Sequence, residues 1–100
     1  MRIGIHGNSN TTVGFSTAGI GGITSTIVDP RLILRDALLT GSTSIILCHN
    51  HPSGSLKPSQ ADISITEKVK KAGEVMDIKL LDHLILTEDS YYSFADKGKL

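Results

Sequence analysis

A chain of 100 residues corresponds to one small domain, which can bury about two-thirds of the surface of its unfolded chain. Ten basic and ten acidic side chains cancel, so charge excludes a strong general attraction to nucleic acid or to anionic surfaces. A single cysteine cannot form an internal disulfide, and no apolar stretch approaches the roughly 20 residues of a membrane span. The N-terminus also lacks an apolar leader, and we therefore predict a cytoplasmic domain without membrane contact.

The first quarter of the chain is predicted to form short strands. Residues 1–11 are ambiguous between a truncated first strand and a non-native remnant, and their turn-forming stretch 7–10 would suit a hairpin. Residues 11–17 and 23–28 are rich enough in β-branched side chains to predict two strands. Three glycines in residues 18–22 indicate a bulge, and without a following lysine or helix they do not indicate a phosphate loop.

A helix and a buried strand follow. Asp29 is predicted to cap the helix, with Pro30 at its first position and Gly41 at its end. Its apolar stripe has helical spacing and comprises Ile33, Leu34, Ala37 and Leu38. Residues 44–48 are almost entirely apolar, which predicts a strand at the centre of a sheet.

The second half of the chain is predicted to contain a long helix and three strands. The helix begins after the capping residue Ser59 and ends near Met76, and Gly73 inside it suggests close packing. Its predicted apolar face comprises Ile65, Val69, Ala72 and Met76. Residues 77–81, 84–87 and 91–94 are predicted strands, the last of them closing a hairpin. Strands interleaved with two helices predict a single mixed α/β domain over residues 1–100, with helices packed on a sheet.

Two histidines and an aspartate occur where the central strand gives way to the long helix. His49 and His51 lie two residues apart at the strand end, so their rings project from the same face. Asp62 lies in the first turn of the helix and can point back towards them. Two imidazoles and one carboxylate are three protein ligands, the number at a catalytic zinc site that leaves its fourth position to water. Ser59 lies one helical turn from Asp62, where its hydroxyl could stabilise an oxyanion.

These residues also form a recognisable motif. The pattern His49-x-His51-Pro52, six residues, then Ser59-x-x-Asp62 resembles the motif of the JAMM (MPN+) metalloprotease superfamily. The longer stretches 49–54 and 57–62 resemble the RadC group within it, as do 81–84 and 92–96. The resemblance covers roughly residues 12–100.

The resemblance implies a mixed-sheet α/β/α sandwich similar to that of cytidine deaminases. It implies Zn²⁺ held by His49, His51 and Asp62, with Ser59 as the catalytic helper for the oxyanion. The implied reaction is the attack of metal-bound water on a peptide or isopeptide bond of a peptide or protein substrate. The family name of RadC refers to DNA repair, but a nucleic-acid partner has no support from the charge of this chain.

The chain departs from the family in two respects. It has no helix-hairpin-helix region, which RadC proteins usually carry at the N-terminus. The JAMM motif also has an early glutamate that serves as general base, and its expected position is near Ser16 or Thr17. No Glu or Asp occurs between Met1 and Val28. Three explanations stay open: the sequence starts after the base, another group substitutes, or the domain binds metal without efficient hydrolysis.

Two other residues near the motif invite a metal-binding interpretation. Cys48 is adjacent to His49, but strand alternation sends it to the opposite face, so we expect it in the core. His83 follows Asp82 after an apolar stretch, and we expect a hydrogen-bonded structural histidine near the site rather than a ligand.

The sequence therefore supports two functional hypotheses. The first is a zinc metallopeptidase-type hydrolase of RadC-like JAMM type. The second is a metal-binding, catalytically weak interaction module, because the early glutamate is missing. Exposed sheet edges would permit a dimer, but the oligomeric state is left open.

Overall fold

The computed structural model describes residues 2–6, 12–17, 19–21, 26–51 and 54–100, and up to residue 28 it describes the backbone alone. The strands are β1 Arg2–His6, β2 Thr12–Thr17, β3 Gly19–Gly21, β4 Thr26–Val28, β5 Ser44–Asn50, β6 Lys79–Leu86 and β7 Tyr91–Ser93. The helices are α1 Pro30–Leu39 and α2 Gln60–Val75. The ambiguous N-terminal segment thus contains a strand, and the strand predicted at 11–17 is β2. Of the predicted strand at 23–28, residues 23–25 lie outside the described residues, as do 18 and 22 of the predicted bulge.

Five strands form a mixed sheet in the order β2-β1-β5-β6-β7, and β3 pairs separately with β4. β5 runs parallel to β6, with α2 as the connection between them, and the other pairs are antiparallel. This arrangement confirms the predicted mixed α/β class and the central position of the apolar strand. It also brings the carboxyl end of β5 close to the start of α2, because a parallel pair requires the chain to cross over.

One hydrophobic cluster joins the two helices to the central strands. Its buried members are Ile33 and Ala37 of α1, Ile45 and Leu47 of β5, Val69 of α2, and Ile78 and Leu80. Asp29 caps α1 as predicted, its side chain accepting a hydrogen bond from the backbone N–H of Arg31 at 2.9 Å. In the described part of the chain, neither helix has the length and apolar character that a membrane crossing requires.

The buried face of α2 differs in part from the predicted apolar stripe. The buried residues are Asp62, Thr66, Val69 and Gly73, whereas Met76 is the C-cap and is 39% exposed. The predicted stripe is confirmed in part: Val69 is buried and Ile65 packs against the core, but Met76 is exposed, and the polar residues Asp62 and Thr66 are also buried. Gly73 does permit close packing, since a Cβ built there would lie 2.3 Å from the carbonyl oxygen of Ile78.

The strands predicted at 77–81 and 84–87 are one continuous strand, β6, so the prediction of a break between them is wrong. The polar pair Asp82 and His83 that suggested the break lies within the strand. Both side chains have hydrogen-bond partners on other elements, Ser93 for Asp82 and Thr66 for His83. β7 pairs antiparallel with β6, which confirms the predicted final hairpin.

Candidate metal centre

The two motif histidines extend the buried row of β5. Ile45 and Leu47 are fully buried on one face of β5, and His49 follows them at the next position of the same alternation. His51 lies just beyond the strand, where its backbone N–H donates to the carbonyl of Leu86 at 2.9 Å. The hydrophobic row of the central strand therefore ends in two imidazoles.

The aspartate is fixed by the start of α2. Ser59 and Asp62 form a reciprocal capping box: the N–H of Asp62 donates to Ser59 Oγ at 3.1 Å. The N–H of Ser59 donates in turn to Asp62 Oδ2 at 2.8 Å. The predicted capping role of Ser59 is thus confirmed, and the capping box holds the Asp62 carboxylate against the strand end instead of leaving it in solvent.

The three side chains converge on one point. Nε2 of His49 lies 3.0 Å from Nε2 of His51 and 3.0 Å from Oδ1 of Asp62, and Nε2 of His51 lies 3.2 Å from Oδ2 of Asp62. Ligand atoms of a tetrahedral zinc ion, each about 2.0–2.1 Å from the metal, are separated by about 3.4 Å. The separations in the structure are slightly shorter, so a small outward movement would make room for the ion.

The hydrogen bond of the His51 ring leaves a lone pair on its Nε2, which faces the point where the three side chains converge. Nδ1 of His51 lies 2.9 Å from the backbone carbonyl oxygen of Ser55. Because a carbonyl only accepts, Nδ1 must carry the proton, and Nε2 of the neutral ring then has a lone pair. That lone pair faces a carboxylate oxygen that can also only accept. Two acceptors in contact are unfavourable unless a cation or a proton lies between them, and the donor set therefore fits a divalent metal.

The electrostatics of Asp62 suit a ligand. Burial would raise the pKa of its carboxyl, but the adjacent His49 ring and the hydrogen bond from the backbone N–H of Ser59 outweigh this effect. The pKa of Asp62 is therefore held well below its usual range, and the side chain is ionised at neutral pH. The N-terminus of α2 adds a favourable dipole for the same negative charge.

His83 lies directly behind His49. It is fully buried, its ring stacks on Phe94 with centroids 4.7 Å apart, and its Nε2 lies 2.9 Å from Nδ1 of His49. Burial, followed by the nearby His49, lowers the pKa of His83 to about 4. The prediction of a buried, hydrogen-bonded histidine near the site is confirmed. Cys48, expected in the core, is half-buried and is not part of the His-His-Asp group.

Sequence analysis missed two groups around the site. Thr66 contacts His83 with its hydroxyl, and the Ser55 carbonyl holds the ring of His51. The carbonyl of a loop residue leaves no trace in the sequence. Thr66 did give a signal, because a threonine four residues after Asp62 lies on the same side of a helix.

Ser59, the predicted oxyanion helper, is exposed and hydrogen-bonded to Asp62. Its Oγ uses a lone pair to accept from the N–H of Asp62, so its own proton can be donated to another group. The structure therefore places an exposed hydroxyl beside Asp62 of the His-His-Asp group.

The position expected for the missing glutamate lies two strands from β5. In the sheet register, Ser16 of β2 aligns through Ile3 of β1 with Leu47, while Thr17 aligns through Arg2 with Cys48. Both positions are at the same end of the sheet as His49, about 10 Å away across two strand spacings. Glu67 and Glu74 of α2 are exposed.

The fold and the site define a small mixed α/β domain with a His-His-Asp group at the carboxyl end of its central strand. Residues 2–99 match the family model described as the RadC-like JAB domain. The chain therefore belongs to the RadC-like JAB domain family, and the predicted resemblance is confirmed.

The curated relatives carry the name UPF0758 protein. One from Flavobacterium johnsoniae is 57% identical over 91 residues, which are 91% of this chain and 40% of the relative. One from Streptococcus gordonii is 47% identical over 91% of this chain and 40% of the relative. One from Clostridium kluyveri is 41% identical over the whole chain and 44% of the relative. The chain thus spans less than half the length of the relatives it matches.

Proposed function

We propose that this domain is a zinc-dependent hydrolase of the metallopeptidase type, acting on a peptide or isopeptide bond of a protein or peptide substrate. The observation that carries the proposal is the convergence of one ligand atom each from His49, His51 and Asp62 within 4.8 Å of one another. Two imidazoles and one carboxylate are a ligand set of catalytic zinc in hydrolases. Membership of the RadC-like JAB domain family supports the same assignment.

Each residue has a distinct role in this proposal. His49, His51 and Asp62 hold the metal, and the capping box keeps Asp62 in place. Bound zinc supplies Lewis acidity, which polarises a carbonyl and makes water a nucleophile at neutral pH. Ser59 donates its hydroxyl proton to the oxygen that becomes negative in the transition state. Its exposure leaves the hydroxyl accessible to a substrate carbonyl.

The test is to measure zinc content, zinc affinity and peptidase activity in the same preparations of wild type and of His51→Ala. Asn50→Ala is the matched control for zinc binding, because Asn50 is exposed and lies between the two histidines. We expect one zinc per chain in wild type and in the control, and loss of both zinc and hydrolysis in His51→Ala. A wild-type protein that binds no zinc, with circular dichroism showing it folded, would refute the proposal.

The second candidate function is a metal-binding interaction module with weak catalysis. One observation favours it: no Glu or Asp occurs from Met1 to Val28, where the family has its general base. A general base typically contributes about 100- to 10,000-fold to the rate. Its loss would leave metal binding intact and hydrolysis slow.

Restoring an acidic side chain near position 16 or 17 distinguishes the hydrolase from the metal-binding interaction module. Ser16→Glu and Thr17→Glu each return a carboxylate to the expected position, and Ser16→Gln and Thr17→Gln are the uncharged controls. If wild type already hydrolyses peptides and neither glutamate variant is faster, the hydrolase uses another base. If wild type binds zinc without hydrolysis and one glutamate variant gains at least about 100-fold over its glutamine control, the module is the better description.

Three finer points are also proposals. The helices and sheet would form the cytidine-deaminase-like α/β/α sandwich, which the parallel β5–β6 pair joined through α2 supports. A cytoplasmic location has the single cysteine as its support. A peptide or protein is preferred to nucleic acid as partner, because the formal net charge of the chain is zero.

A further inference from the structure

Thr66 begins a chain of hydrogen bonds that ends at the metal centre. It lies in α2 and is 3% exposed. Its hydroxyl donates to the backbone carbonyl of Asp62 at 2.6 Å. A hydroxyl has only one proton, so the remaining capacity of Thr66 Oγ1 is to accept.

His83 is the group that donates to Thr66. Nδ1 of His83 is hydrogen-bonded to Thr66 Oγ1. Since the threonine proton is directed to Asp62, Nδ1 of His83 must carry the shared proton. His83 is fully buried, and a buried imidazole avoids the doubly protonated, charged form. Nε2 of His83 therefore has a lone pair, and stacking on Phe94 fixes the plane of the ring.

His49 completes the chain. Its Nδ1 lies 2.9 Å from Nε2 of His83, which accepts, so Nδ1 of His49 carries the proton. In the neutral ring, Nε2 of His49 then has a lone pair directed towards His51 and Asp62, where the metal would bind. The opposite orientation of the chain would put a proton on Nε2 of His49 and block it as a ligand.

We propose that Thr66 and His83 are positioning residues that set the tautomer of His49 and thereby leave its Nε2 open to the metal. The proposal rests on the proposed metal site, although the tautomer itself can be measured without metal. Hydrogen-bond partners of metal-binding histidines typically affect metal affinity 10- to 100-fold. Here His83 is the direct partner of His49 and Thr66 acts through His83, while the hydroxyl of Thr66 also donates to the backbone carbonyl of Asp62.

The experiment compares Thr66→Val with Thr66→Ser in the full chain. Valine keeps the shape of threonine but cannot accept from His83, whereas serine keeps the hydroxyl. Long-range ¹H–¹⁵N spectra of the metal-free protein at neutral pH identify which ring nitrogen of each histidine is protonated. We expect a proton on Nδ1 of His49 in wild type and Thr66→Ser, whether or not Nε2 also carries one without metal, and a loss of the Nδ1 proton in Thr66→Val. Zn²⁺ affinity should fall about 10- to 100-fold in Thr66→Val and be kept in Thr66→Ser.

A second pair of variants tests His83 itself. His83→Gln offers an amide oxygen to Nδ1 of His49, whereas His83→Phe keeps a flat ring against Phe94 and offers no acceptor. We expect the glutamine variant to retain more Zn²⁺ affinity and more of the Nδ1–H form of His49 than the phenylalanine variant.

The tautomer decides the proposal independently of the function. A His49 ring without a proton on Nδ1 in metal-free wild type would overturn it, and so would an Nδ1 proton that is kept in full in Thr66→Val. If wild type shows the expected tautomers and the expected change in Thr66→Val but binds no Zn²⁺, the proposed function fails while the tautomer relay stands.

Discussion

At the scale of single residues, Asp62 belongs both to the start of α2 and to the candidate metal centre. Its Oδ2 accepts from the backbone N–H of Ser59, and its two oxygens face the rings of His49 and His51. The cap needs a hydrogen-bond acceptor, whereas the metal centre needs a negative charge. A substitution that keeps the acceptor and removes the charge can therefore separate the two roles.

Asp62→Asn is that substitution. An asparagine oxygen can still accept from Ser59, so we expect the free energy of unfolding without metal to change by less than about 1 kcal/mol. Zn²⁺ affinity should fall by more than about 100-fold, because even groups one step removed from a metal account for 10- to 100-fold. Isothermal titration calorimetry and urea denaturation give the two values. Asp89→Asn on the exposed turn is the control, and equal zinc affinities for the two variants would contradict the prediction.

The sequence could predict the ligand trio but not all of its surroundings. His49, His51 and Asp62 are separated by short fixed distances on a strand end and a helix start, and local geometry is enough to bring them together. The contact between His49 and His83 joins residues 34 positions apart. It depends on the register of β5 on β6, in which Leu47 pairs with His83, and residue patterns do not determine that register.

At the scale of secondary-structure elements, the errors in prediction share one cause. Burial of Asp62 and Thr66 added polar residues to the packed face of α2, and burial of His83 joined two predicted strands into β6. Periodicity rules assume that buried positions are apolar, which holds for Val69 and Ile85. They fail where a polar network is buried and satisfied internally, and in this domain that network surrounds the candidate centre.

The end of α2 offers a prediction about packing. Gly73→Ala would gain roughly 1 kcal/mol in helix propensity. The added Cβ would however lie 2.3 Å from the carbonyl oxygen of Ile78, a backbone atom that cannot move without disturbing the turn into β6. We expect net destabilisation of about 1–3 kcal/mol in urea denaturation. Ser64→Ala on the exposed side of α2 is the control, and a Gly73→Ala protein as stable as wild type would show that the turn adapts.

The β6–β7 hairpin depends on the carboxylate of Asp82. Oδ2 accepts from the hydroxyl of Ser93, and Oδ1 accepts from the backbone N–H of Ala95 at 3.0 Å and from that of His83 at 2.7 Å. Asp82→Ala would leave the buried Ser93 hydroxyl and these donors without their acceptor, so we expect a loss of about 1–3 kcal/mol of stability. Urea denaturation measures it, and Asp89→Ala in the exposed turn is the control. Equal midpoints for both variants would count against this role of Asp82.

At the scale of the whole molecule, the candidate centre links elements that also share the hydrophobic core. His49 lies in β5, His51 follows the end of this strand, and Asp62 lies in α2. These elements hold parts of the hydrophobic cluster, so an ion bound by all three side chains would tie the sheet to the helix. Metal binding should therefore stabilise the entire fold.

Zinc is accordingly expected to raise the Tm of the whole domain. A ligand that binds only the folded state at 100 times its Kd adds about 2.7 kcal/mol. For a domain of this size each kcal/mol corresponds to about 4–8 °C, so the Tm should rise by about 10–20 °C. Differential scanning calorimetry with Zn²⁺ and then with EDTA measures the shift and its reversal. His51→Ala should show almost no shift, and an equal shift in that variant would place the metal elsewhere.

The general architecture was predictable because β5 is strongly apolar and both helices have clear caps at Asp29 and Ser59. The order of the strands was not, since Arg2–His6 gives a weak strand signal although it pairs with both β2 and β5. Its place in the sheet follows from hydrogen bonding to distant residues, which local composition does not encode.

The alternation of side chains between the two faces of β5 also limits which insertions and deletions this strand can tolerate. Ile45, Leu47 and His49 occupy one row, so deleting or inserting a single codon between them would send the histidines to the face now held by Ile46 and Cys48. The exposed turn at residues 88–90 carries no such constraint. A library of one-residue insertions and deletions should consequently recover zinc-binding clones with changes at the turn and none with changes in the strand.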